Sequence, residues 1–305
     1  MHKLALVVPT KDRPDDLGKL LASLSTQTRA PDQLIIVDGS KPDIRHVIDR
    51  FPQLKVDYVR VYPPSLSQQR NAGMQRLDPD ITLAGYLDDD IVLEPAAVET
   101  MLRFWSGADA DIGGAAFNIT NAARPKWIGL KTLLQVDAAH PGTMLRSGFP
   151  STIGFQQHDL ETHWLYGGAT VWRREVIQKY AYDEWFLGTG FMEDVDFSFS
   201  VRKDYRLKVI AGARLAHYSH PVRLERERLL GRWQITNRMY FVRKHQARGL
   251  SPGAAWIANV GTALLNGAQA LMRMKASHWL RAKGNFQGMI AEITGDRSAT
   301  GGHLK

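Results

Sequence analysis

Short apolar runs alternate with helical patterns across residues 4–105, and three of those runs stop abruptly at polar or acidic side chains. Leu4 to Pro9 reads as a buried strand leading into Thr10, and Leu34 to Val37 leads into Asp38. Val56 to Tyr62 alternates like a third strand, and Leu83 to Leu87 runs into Asp88, Asp89 and Asp90. Between them, Leu17, Leu20, Leu21 and Leu24 share one helical face, with Asp12 placed as an N-cap and Pro14 tolerated in the first turn. A second helix is expected around Arg70 to Leu77, and a third follows Pro95 with Val98, Met101, Leu102 and Trp105 on one face. This rhythm predicts an α/β fold whose mostly parallel sheet is joined by crossover helices. Ligands of such sheets bind at the carboxyl ends of the strands, where Thr10, Asp38 and the Asp88 to Asp90 run fall.

From Ile112 to about Pro150 the pattern loosens, with apolar and aromatic residues but little period. Order returns at LYGGATVWRREV, a strand running through Arg173 and Arg174 into a helix, then at EDVDFSFSVRKDY and RLKVIAGARLAHY. With 44% hydrophobic residues the chain can bury a proper core, and with no cysteine it has no disulfide framework, zinc ribbon or thiol nucleophile. The first strand runs into PTKDRP instead of G-x-G-x-x-G, and no G-x-x-x-x-G-K-[ST] occurs, which argues against a dinucleotide dehydrogenase and a P-loop nucleotidase. The apolar run Leu4 to Val8 is too short for a secretory leader, so a cytoplasmic location is expected.

The net charge of +8 is unevenly placed. Residues up to Val222 hold 25 basic and 27 acidic side chains, whereas Arg223 to Lys305 hold 14 and 4. A nearly neutral body, 1–222, is thus followed by a basic helical extension, 223–305, of the kind that suits a polyanionic partner. Within the extension, Ala254 to Met272 is free of charge but interrupted by Asn259, Thr262, Asn266 and Gln269. That is poor for crossing a bilayer. With Arg243, Lys244 and Arg248 before it and Arg273, Lys275, Arg281 and Lys283 after it, the segment is expected to lie on an anionic membrane surface. Trp256 and Trp279 suit the headgroup boundary. Packing of these helices on the body or in a homo-oligomer is the competing expectation.

Three adjacent carboxylates at a strand end repel one another, because like charges a few ångströms apart raise each other's pKa. A hard divalent ion that also holds a diphosphate would supply the missing charge, since Mg²⁺ typically takes one or two carboxylates plus phosphate oxygens. A second acidic group, Glu193 and Asp194 with Asp196, follows Gly188 and Gly190; acids there also suit a first helical turn. His217 ends the strand-like run RLAHY and could supply an imidazole ligand at the same edge.

The ordered set VVPTKDRPDDLGKLLASLSTQT, LIIVDGS, QQRNAG, YLDDDIVLEP, YGGATVWRREV, GTGFMEDVDFSFSVRK and LAHYSH resembles the family 2 inverting glycosyltransferases with the GT-A fold, over most of residues 4–220. The resemblance implies a Rossmann-like sheet with a nucleotide-sugar half at about 1–110 and an acceptor half at about 111–222. It implies that Thr10 and Arg13 line the nucleoside pocket, that Asp38 binds the pyrimidine, and that Arg70 and Asn71 stand beside the nucleotide. Asp88 and Asp90 correspond to the Asp-x-Asp motif, with Asp89 between them on the donor, and His217 joins the Mg²⁺ or Mn²⁺ site. Asp194 is the implied base, with Glu193 beside it. One departure stands out: Met192 precedes the Glu-Asp pair where Gly is frequent, so the local backbone is expected to differ.

The implied activity is metal-dependent inverting transfer from a UDP- or dTDP-linked sugar to a hydroxyl of a glycan or lipid-linked acceptor, in cell-surface polysaccharide synthesis at the inner face of the membrane. The acceptor pocket is expected from Ile112 to Trp164 and the Trp185 loop, with Trp127, Trp164 and Trp185 as sugar platforms or packing residues. A sugar-nucleotide pyrophosphorylase would need a Gly-rich basic loop where PTKDRP stands. A nucleic-acid-binding protein would use the basic tail, but RERERLLGR and YFVRKH match no base-reading motif, so no nucleic acid is expected.

Overall fold

The computed structural model describes residues 2–122, 129–186, 188 and 190–296. Its strands are β1 (Leu4–Thr10), β2 (Gln33–Asp38), β3 (Val56–Arg60), β4 (Leu83–Leu87), β5 (Ile91–Leu93), β6 (Ile112–Ile119), β7 (Leu160–Thr162), β8 (Ala169–Arg173) and β9 (Arg206–His217). Its helices are α1 (Pro14–Ser25), α2 (Arg45–Ile48), α3 (Leu66–Met74), α4 (Ala97–Ser106), α5 (Gly129–Leu133), α6 (Arg174–Lys179), α7 (Glu193–Val201), α8 (Leu224–Lys244), α9 (Pro252–Arg273) and α10 (Ala276–Thr294). These elements fall into two compact units, one of residues 2–122 with 153–219 and one of 129–152 with 220–296.

The first unit holds one mixed sheet in the order β3-β2-β1-β4-β8-β6-β9-β5, with β7 paired to β9. β1, β2, β3 and β4 are mutually parallel, as are β6 and β9. β8 runs antiparallel to both β4 and β6, and the short β5 and β7 run against β9. The sheet is therefore mostly parallel, with three reversed strands. β1, β2 and β4 are buried along their whole length, which is why they read as continuous apolar runs and not as alternation. Helix α1 buries Leu17, Leu20, Leu21 and Leu24 against the same core as α4, whose Val98, Met101 and Trp105 point inward.

Two expectations are corrected. The loosely patterned stretch after Ile112 contains β6, an eight-residue strand buried throughout. Its IGGAAFNI sequence has no period because both faces are covered and small residues admit large neighbours: the Trp172 ring of β8 occupies the place a side chain on Gly114 would take. Asp12 is not the N-cap of α1. That position belongs to Arg13, which makes no side-chain cap, while Asp12 adopts φ 54° and its carboxylate accepts from the Lys41 N–H at 3.1 Å.

The second unit is a set of helices joined to the 129–152 segment. That segment was expected in the acceptor half but packs with the C-terminal helices. Leu134 lies against Gly261 of α9, Gly148 against Val242 and Phe241 of α8, and the Arg146 carbonyl accepts from the Ser251 N–H at 2.8 Å. Among the described residues no helix is long and apolar enough to cross a membrane.

Candidate active site and metal centre

The carboxyl edge of the sheet gathers the polar strand ends. In register, Thr10 lies beside Asp38, Leu87 beside Ala169, and Ile91 beside His217. Asp88, Asp90 and His217 accordingly converge, each offering a ligand atom within 4.8 Å of the others. Asp90 Oδ1 stands 2.9 Å from His217 Nε2, yet this buried oxygen has no aligned hydrogen-bond donor. A buried carboxylate oxygen left unsatisfied beside an imidazole and a second carboxylate is the donor set a divalent cation fits. Burial works against both charges, but the pair sustain each other: His217 and Arg13 hold Asp90 below the usual carboxylate range, and Asp90 and Asp88 raise His217.

Asp89 turns away from this triad. It accepts from Thr10 Oγ1 at 2.8 Å and from Arg13 at 3.0 Å, and burial pushes its pKa up to about 6 in spite of both donors. Arg13 also reaches Asp90 at 3.3 Å while much of its side chain stays in solvent. A half-exposed guanidinium is thus pinned beside the triad.

The second acidic cluster is joined to the first by one cation. Arg70 of α3, 1% exposed, donates to Glu193 Oε1 at 2.9 Å and to Asp88 Oδ1 at 3.1 Å, and lies over the Tyr182 ring at 5.0 Å. Burial opposes the Arg70 charge, but Asp88, Glu193 and Asp194 keep it firmly protonated. Burial pushes Glu193 up to about 7, with the Asp194 charge adding to the effect and Arg70 opposing it. Asp194 is also raised by burial, against the pull of Arg70. Its carboxylate accepts from the Gly167 N–H at 3.2 Å and from the Val195 N–H at 2.8 Å.

The backbone preceding this pair makes a left-handed turn at a residue other than glycine: Met192 has φ 74°. Gly190, at φ 65°, leaves room for the Glu193 carboxylate, which a side chain there would strike.

Other sequence-predicted residues have protein partners. Asp38 is fully buried and accepts from the Ser40 N–H at 2.7 Å, the Ile44 N–H at 3.2 Å and the Tyr58 hydroxyl, an arrangement that shapes the loop after β2. Asn71 donates to the Tyr182 carbonyl at 3.0 Å and to Glu184, and accepts from the Tyr182 N–H. Trp164 packs on Tyr166 and Trp185 on Phe186, whereas Trp127 lies outside the described residues.

Sequence reasoning assigned no role to Gly167 and Gly168. A methyl group on Gly168 would run into the Asp88 carboxyl, and one on Gly167 into Arg70 and Asp194. Two consecutive glycines just before a strand are the legible trace of that close approach.

Comparison with known proteins bears on the family and the fold. The family model described as glycosyl transferase family 2 matches residues 5–181. An uncharacterized glycosyltransferase of Bacillus subtilis (strain 168), YwdF, is 30% identical over 108 residues, which are 35% of this chain and 40% of that protein. The mannosyltransferase PcManGT of Pyrobaculum calidifontis, solved with GDP-Man and Mn²⁺, superposes with a TM-score of 0.58 at 14% identity, over 97% of this chain and 88% of that one. Residues 1–349 of S. aureus TarS give a TM-score of 0.52 at 15% identity, over 96% and 92%. At these identities the solved structures speak to the fold, which is that of the GT-A glycosyltransferases.

Proposed function

The chain belongs to glycosyl transferase family 2, and from that premise we propose that it moves a sugar from a nucleoside diphosphate donor, UDP- or dTDP-linked, to a hydroxyl of a glycan or lipid-linked acceptor. The reading assigns it an inverting mechanism, a hexosyl or deoxyhexosyl donor, and a place in cell-surface polysaccharide synthesis. The observation that carries the donor side is the convergence of Asp88, Asp90 and His217 around an unsatisfied buried oxygen at the carboxyl edge of the sheet. Mg²⁺ or Mn²⁺ held by these three residues would stabilise the charge that develops on the departing diphosphate.

The remaining work falls to the protein's own groups. Thr10 holds Asp89, which in turn pairs with Arg13, whose exposed cation stands beside the triad as a contact for donor phosphate oxygens. Asp194 has the two features a base needs: its carboxylate is oriented by backbone N–H groups, and burial raises its pKa toward the working pH. It accepts the acceptor hydroxyl's proton as that oxygen attacks the anomeric carbon from the face opposite the leaving diphosphate. Glu193, engaged by Arg70, serves as a positioning residue and not as the base.

Calorimetric titration with UDP, dTDP and GDP, with and without Mn²⁺, tests the reading. Binding of UDP or dTDP should require the metal and vanish in Asp90→Ala, while the circular dichroism spectrum stays native. Metal-independent binding, or binding that survives the substitution, would refute the assignment.

A further inference from the structure

Helix α9 is amphipathic in the reverse sense. Its polar side chains turn inward: Asn259 is fully buried and accepts from Arg238 at 2.8 Å, Thr262 is buried beside it, and Asn266 donates to Asn285 of α10 at 2.7 Å. Its outward face is aliphatic, with Ile257, Val260, Leu264 and Leu271 exposed at spacings of three, four and seven. Helix α10 repeats the arrangement. Asn285 is fully buried and donates to the Gly231 carbonyl and Gln234, while Trp279, Phe286, Ile290 and Ile293 lie outward at spacings of seven, four and three. A helix facing water carries the opposite distribution. At the corner joining the helices, Met272 and Met274 are 75% and 76% exposed, flanking Arg273 and next to Lys275.

Charge identifies what this face meets. The described part of this unit, 129–152 and 220–296, carries 14 Lys and Arg against 5 Asp and Glu. Between Pro252 and Thr294 the lone acid is Glu292, whose side chain is 7% exposed and paired with Arg243 at 2.7 Å. Arg273, Lys275 and Lys283 are exposed around the apolar surface. An aliphatic face rimmed by cations and bare of exposed carboxylates complements an anionic lipid surface. A second copy would bring the same cations against these, and a nucleic acid would find aliphatic side chains where stacking rings are needed.

We propose that the outward faces of α9 and α10, led by the Leu271–Trp279 corner, form a monotopic docking surface that inserts into the headgroup region of an anionic bilayer. The aliphatic side chains enter the acyl boundary, Trp279 sits at the interface, and Arg273 and Lys275 meet lipid phosphates. This site is separate from the sugar-transfer reading and stands or falls without it.

Flotation of the full chain with vesicles of phosphatidylcholine, with or without about a third phosphatidylglycerol, tests the proposal at low and high salt. The wild type should float with the anionic vesicles at low salt. Leu271→Gln with Met272→Gln and Met274→Gln changes exposed side chains only, so it should keep the native circular dichroism spectrum and lower partitioning at least ten-fold. Arg273→Gln with Lys275→Gln should cost about five-fold per cation on anionic vesicles and little on neutral ones. A wild type that stays with the unbound fraction at low salt would overturn the proposal. So would a wild-type dimer that the triple variant turns into monomers while vesicle partitioning is unchanged.

Discussion

Glu193→Gln probes the balance of charge around Arg70. One guanidinium is buried among three carboxylates, those of Asp88, Glu193 and Asp194, and burial, reinforced by the Asp194 charge, makes Glu193 hold its proton up to about pH 7, against an ordinary value of 4.5. In the metal-free protein, the folded state therefore keeps a proton across that window that the unfolded chain has released. The folded state binds more protons, so stability falls as pH rises from 4.5 through 7, and the loss is complete above it. A shift of this size is worth about 3 kcal/mol at about 1.4 kcal/mol per pKa unit. Gln preserves the shape and can still accept from Arg70, but it cannot ionise. At roughly 2–4 °C per kcal/mol for a domain near this size, the wild type should lose roughly 6–12 °C more in melting temperature between pH 5 and 8 than the variant. Scanning calorimetry in EDTA reads the difference directly. Asp89, which burial also raises, contributes a fall of the same sign to both proteins and cancels in the comparison. Parallel pH curves for wild type and Glu193→Gln would refute the reasoning. Arg70→Met should move the opposite way and steepen the fall, because it removes the cation that opposes the shift.

Gly168→Ala places a methyl group against Asp88 and should weaken Mn²⁺ binding by roughly 10–100-fold in calorimetric titration, as displaced ligand supports commonly do; unchanged affinity would show that Asp88 need not hold its observed position. Asp194→Asn should keep donor affinity and lose turnover by roughly two to four decades in steady-state assays, and an equal loss of donor affinity would move Asp194 to the donor side. In the second unit, the fully buried Arg238 has Asn259 and Thr262 as its described hydrogen-bond partners, and burial pulls its pKa down to about 9. Urea titration should find Arg238→Met within about 1 kcal/mol of wild type or more stable, whereas Asn259→Leu, which strips the cation of a partner, should cost roughly 1–3 kcal/mol.

The strands that carry the site were legible because their ends are marked by a change in chemistry. β1, β2 and β4 are buried runs that stop at Thr10, Asp38 and Asp88, and a parallel sheet sends such ends to one edge. β6 was invisible for the complementary reason: its glycines Gly113 and Gly114 are dictated by the Tyr205 and Trp172 rings lying against them, and those partners are distant in sequence. Arg70 shows the same limit at the site itself. RNAG marks the residue, but its bonds to Asp88 and Glu193 span 18 and 123 positions, and only the fold brings the three together.

Met192 shows how a residue other than glycine is held in a left-handed turn ahead of the Glu-Asp pair. Without glycine ahead of the Glu-Asp pair, a changed backbone was the expectation. Met192 takes φ 74° with a side chain present, a conformation that costs an L-residue about 1–2 kcal/mol. The thioether stem is buried, and burying such a side chain contributes about 1.5–3 kcal/mol. The Met192 carbonyl also accepts from the Asp196 N–H at 2.9 Å, closing the first turn of α7. Packing and the helix thus offset the strain of this left-handed residue. What the turn must do is aim Glu193 at Arg70 and Asp194 at the Gly167 N–H, and both contacts are present. The charges that α7 delivers are thus aimed by a turn whose left-handed residue is compensated by its own burial.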